Sequence, residues 1–176
     1  MSESIRKIGI PTATIGVALM MLAPALLQGA FAVAPVSQTR SGGLHFVGQP
    51  DLTVSKTDGT ATVTVEGEVA GAGTGGEAIL TTNVVATVGC INRGGNEPGG
   101  LQDISETLTA SEPFTTDNGR GTFSVSGSVS IEDFEDFTCP PGQASETLVS
   151  VVFEDPTLTI EAQTGTITAT FATIDP

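Results

Sequence analysis

Four carboxylates fall within five residues at Glu132-Asp133-Phe134-Glu135-Asp136, just ahead of Cys139. Ca²⁺ is a hard cation that takes oxygen ligands, and outside the cell it is abundant enough to fill a weak site. The run therefore makes Glu132, Asp133, Glu135 and Asp136 the candidate metal ligands. Two features oppose that reading. The alternating Asp-x-Asp-x-Asp-Gly order of a dedicated calcium loop is absent. In an extended chain, moreover, neighbouring side chains point to opposite sides. A solvated acidic loop is the competing expectation.

Other chemistry has little to stand on. His45 is the only histidine, and no nucleophile-elbow serine motif accompanies it. Cys90 and Cys139 are the only cysteines. An even pair in an exported chain points to a disulfide, which removes the thiolate nucleophile. Pairs of Asp and Glu abound, but no spacing marks an acid/base dyad. Tyr and Trp are absent, and with them the rings on which lectins and glycosidases stack sugars. Phe123, Phe153 and Phe171 occupy inward strand positions and read as core. Phe134 and Phe137 are either exposed in the acidic loop or packed on the disulfide. The expectation is a protein that is not an enzyme and holds no cofactor, Ca²⁺ at the acidic run aside. Asn83, Asn92, Asn96 and Asn118 form no glycosylation sequon.

The chain carries a formal charge of −14 over 176 residues, a length that suits one domain. Met1 to Lys7 is polar and basic, Ile8 to Leu27 is apolar, and Ala30-Phe31-Ala32 is a small-x-small end. That is the layout of a secretory signal peptide over residues 1–32. Pro11 and Pro24 leave about 12 uninterrupted apolar residues, short of the roughly 20 that a span requires. A competing reading places cleavage near Gly9 and keeps the apolar segment, loosely as in type IV pilins. Residues 33–176 retain Arg40, Lys56, Arg93 and Arg120 against 19 carboxylates. Such a surface repels nucleic acid and anionic lipid.

Residues 33–43, with Pro35 and Ser41-Gly42-Gly43, lack an apolar period and read as a flexible linker. From Leu44 onward a period of two dominates. Ala61, Val63, Val65 and Val69 share one face, and Thr62, Thr64, Glu66 and Glu68 the other. Phe123, Val125, Val129 and Ile131 alternate with serines; Leu158 and Ile160, then Ile167, Ala169 and Phe171, alternate with threonines. Leu148 to Phe153 is apolar on both faces and reads as a central, doubly covered strand. Turn signals stand at Thr57-Asp58-Gly59, Gly71 to Gly76, Asp117-Asn118-Gly119, Asp155-Pro156 and Thr164-Gly165. The expected fold over residues 44–176 is all-β, an antiparallel β-sandwich of seven to nine strands, immunoglobulin-like in broad architecture.

His45-Phe46-Val47-Gly48-Gln49-Pro50, the stretch from Cys90 to Gly100 and Cys139-Pro140 together resemble a family of small exported bacterial β-sandwich proteins of uncharacterised function. The resemblance implies the sandwich and the cysteine pairing, and no activity. An aromatic residue that often follows the second cysteine in that family is missing here.

These readings converge on an exported, non-enzymatic structural or interaction protein of the cell surface or matrix, self-assembling or bound to other envelope proteins. After signal cleavage it would engage neither membrane nor nucleic acid. A soluble Ca²⁺ or small-ligand module, with its site in the loops at the cysteine end, and a pilin-like filament subunit are the alternatives.

Overall fold

A computed structural model describes residues 31–57, 59–91, 94, 101–134, 137, 139 and 145–176. Within them the chain forms ten β-strands and one 3-10 turn. The strands are β1 (Phe31–Val33), β2 (Ser37–Gln38), β3 (His45–Phe46), β4 (Asp51–Thr57), β5 (Thr60–Ala70), β6 (Gly75–Ile91), β7 (Gln102–Thr115), β8 (Arg120–Ser130), β9 (Ser145–Ala162) and β10 (Gly165–Thr170), and the turn is Ile131–Asp133. All pairings are antiparallel and divide into two five-stranded sheets. The fold is the all-β sandwich that the period of two requires.

In the first sheet β5 is central. It pairs with β8 along its whole length, while β4 and β3 share its other edge end to end, opposite residues 60–66 and 69–70. β1 closes the outside of β4. In the second sheet the order is β2-β10-β9-β6-β7. The inward faces interdigitate as the alternation predicts: Ala61, Val63, Val65 and Val69 are buried against Leu80, Val84, Leu158, Ile160 and Ile167. Gly67 interrupts the apolar row of β5. Its register partner Phe123 fills the gap, with ring carbon Cζ 2.7 Å from where a Cβ on Gly67 would stand. Phe46 and Phe114 flank that ring at centroid distances of 6.3 and 6.4 Å.

The Asn118-Gly119 signal forms the two-residue turn between β7 and β8. Both residues have positive φ, 52° and 75°, and Asp117 and Arg120 exchange backbone hydrogen bonds of 2.8 and 3.0 Å across it. This turn suits residues that tolerate the left-handed region. Beyond it the strands part: β7 joins the second sheet and β8 the first.

Three expectations differ from the structure. Residues 33–43 are not a free linker: Val33 belongs to β1 on the first sheet, and β2 pairs with β10 on the second. Val36 and Thr39 donate backbone hydrogen bonds to Thr170 and Thr168. Backbone pairing at a sheet edge asks for no apolar side chains, so composition alone hides it. Asp155-Pro156 is not a turn but a bulge inside β9. Thr81 pairs with Thr157 and Asn83 with Glu154, so two residues of β9 oppose Thr82; Asp155 takes φ 43°. Proline cannot donate to a ladder, and a bulge is where an interior strand accommodates it. Finally, Leu148 to Phe153 does lie in a central strand, yet Val149 and Val152 are only half-buried, so one face alone is fully covered. The expected signal peptide, apart from Phe31 and Ala32, lies outside the described residues.

Candidate functional site

The acidic run begins where β8 ends. Ser130 caps the 3-10 turn, and the Asp133 carboxylate reaches back to accept its backbone N–H at 2.6 Å and its hydroxyl at 3.0 Å. A short polar side chain in that position satisfies a donor that the turn leaves open. One oxygen of Asp133 is thus spent on local structure. Glu132 occupies the same turn and is exposed. Glu135 and Asp136 lie outside the described residues. Among those described, no three His, Cys, Asp or Glu side chains are grouped to hold a metal ion. Phe134 and Phe137 are buried, 5 % and 8 % exposed, so neither is the exposed ring that the acidic loop left open as an expectation.

The disulfide joins Cys90, near the end of β6, to Cys139, with Cα atoms 5.7 Å apart. Cys90 is itself buried and Cys139 packs against the core. The bond ties the far end of β6 to the segment that follows the acidic run. The backbone N–H of Cys139 donates to the Glu146 carboxylate at 3.3 Å. A disulfide of this kind persists in an oxidising compartment.

His45 sits on β3, opposite Ala70. Its Nδ1 lies 2.8 Å from the Gly43 carbonyl oxygen, a local contact that braces the entry to the strand.

One cation does unexpected work. Lys56 of β4 donates from Nζ to the Val149 carbonyl at 2.6 Å, from one sheet to the other. Val149 is the residue skipped where the β6–β9 register slips between Thr87 and Val88. A bulge leaves a residue outside the ladder, and the lysine supplies a partner for its carbonyl. Nothing in the sequence around Lys56 signals this contact, since it depends on a slip in a strand 93 residues away.

Most exposed among the long strands is β7. Of its 14 residues only Phe114 is buried, and it pairs with β6 from Gln102 to Thr115. Among the described residues no strand pairs with its other edge. Thr116 donates its N–H to Thr74 across the β6 side. Successive backbone groups alternate, so Pro113, Ser111, Thr109 and Thr107 direct their backbone groups toward the open edge. Pro113 is placed where its missing N–H costs no ladder bond. The strand offers a row of backbone donors and acceptors to a partner.

No protein-family model matches the chain, and no curated protein matches it either. Among solved structures it is weakly similar to the enzymatically active domain of tailspike protein 4 from bacteriophage CBA120. That likeness has 9 % identity and a TM-score of 0.18, over 83 % of this chain and 18 % of the other. The chain spans under a fifth of that protein's length, and a likeness so slight carries no argument about fold or function.

Proposed function

We propose that this is an exported, non-enzymatic structural or interaction protein of the cell surface or extracellular matrix, which self-assembles through its sheet edges. The observation that carries the reading is β7: 14 residues long, with only Phe114 buried, and paired on one side among the described residues. Such an edge is a template for a strand of another copy. The outer faces add support. Between β5 and β8, Thr62 and Thr64 bond to Ser128 and Ser126, Ser124 to Glu66, and Arg120 to Glu68. These pairs stiffen a polar face. Both cysteines are oxidised and His45 is engaged locally, which leaves no activated nucleophile among them.

Sedimentation of the purified, disulfide-intact chain over a concentration series tests this. A mass that rises with concentration is expected. A monomer at every concentration, up to the millimolar range, would count against it.

A further inference from the structure

Where β7 and β8 part, no backbone ladder joins them, and a cavity of about 100 Å³ opens between the sheets. Val84 and Val129, both buried, form its floor, and Leu108 is half-buried at its wall. Thr107, Ser128, Glu106 and Asp133 complete the lining and are exposed. Glu106 stands at an unusual register. It pairs directly with Val84, so it occupies the inward face of β7, on the same side as Ile104, Leu108 and Phe114. Two carboxylates, Glu106 and Glu112 opposite Ala78, share that face with Ile104, Leu108, Ala110 and Phe114, and of the two only Glu106 lines the cavity. Among the described residues nothing bonds to Glu106.

We propose that this cavity binds a primary alkylammonium ion, with the alkyl chain over Val84, Leu108 and Val129 and the ammonium between Glu106 and Asp133. The chemistry selects against a bare metal ion. Ca²⁺ takes six to eight oxygens, whereas the floor and one wall here are hydrocarbon. An ammonium on a short chain satisfies both halves of the lining at once. Its charge meets two carboxylates, of which Asp133 still has one oxygen free of the Ser130 contacts, and its methylenes displace water from apolar surface. The volume matches an alkyl chain of about three or four carbons, taking about 30 Å³ for each, with the ammonium outside it among the exposed carboxylates. The competing role for Glu106 is protective, since an inward-pointing charge discourages pairing at an edge strand.

Methyl-resolved NMR of the disulfide-intact protein, titrated with n-butylammonium chloride, decides between them. Saturable shifts at Val84, Leu108 and Val129 are expected, with affinity in the millimolar range. n-Butanol, equal in length and uncharged, should bind at least about 10-fold more weakly, the worth of one charge-assisted hydrogen bond. Glu106→Gln should weaken butylammonium by about the same factor while leaving the remaining methyl spectrum unchanged. Absence of saturable shifts at these methyls would overturn the proposal. So would equal binding of butanol, which would mean an apolar cavity alone, or equal shifts from CaCl₂ at the same ionic strength. A Glu106→Gln protein that binds butylammonium undiminished yet sediments as larger species would assign the residue to edge protection instead.

Discussion

Lys56 shows how a single side chain can hold two sheets together. Its ammonium reaches a half-buried carbonyl that a bulge has removed from the ladder, and an acceptor partly withdrawn from water loses stability when its donor goes. Lys56→Met keeps the aliphatic stem and removes the donor. The expected loss is about 1 kcal/mol of unfolding free energy, read from urea denaturation with an unchanged slope. A variant as stable as the parent would show that water replaces the lysine. At this scale the sequence was informative about core residues and uninformative about partners. The inward set of Ala61, Val63, Val65 and Val69 follows from alternation alone. The contact of Asp133 with Ser130 is a capping box that Ser130-x-x-Asp133 spells out locally, whereas the covering of Gly67 by Phe123 follows from a register that no local pattern carries. The same holds for Glu106, whose inward register became visible only once Val84 was opposite it.

At the scale of elements, the strands and tight turns were legible because each has a local cause. Asn118-Gly119 needs two residues that accept positive φ, and alternating valine and threonine needs one wet face. The elements misread are those fixed by distant partners. β1 and β2 are two or three residues long and exist through backbone bonds to β4 and β10. β9 runs unbroken through Asp155-Pro156 because β6 and β10 hold it on both sides. The disulfide belongs to this scale as well, closing a loop across 49 positions between β6 and the segment ahead of β9. Replacing both cysteines by alanine should lower stability by up to about 4 kcal/mol, the chain-entropy value for such a loop. Calorimetric melting of the variant beside the oxidised parent measures it. An unchanged melting temperature would mean that the unfolded chain already keeps those ends close.

For the whole molecule, the balance of charge dominates. Twenty carboxylates face six Lys and Arg, and Arg120–Glu68 is the one salt bridge among the described residues. Mutual repulsion of surface carboxylates opposes the compact state, and added salt screens it, with the Debye length falling from about 10 Å at 0.1 M to about 3 Å at 1 M. Raising NaCl over that range should therefore raise the melting temperature at neutral pH; a fall would show that attractive pairs outweigh repulsion. Self-assembly between such acidic copies also demands a contact in which backbone groups, not charges, meet. β7 supplies one, and its geometry makes the test specific. Thr109 directs its backbone N–H to the open edge, so Thr109→Pro removes a donor there without removing a bond to β6. Sedimentation of Thr109→Pro beside the parent is the direct measurement. Parent oligomers that the proline variant, still folded, fails to form are the predicted result; oligomers unaffected by the proline would contradict assembly through β7.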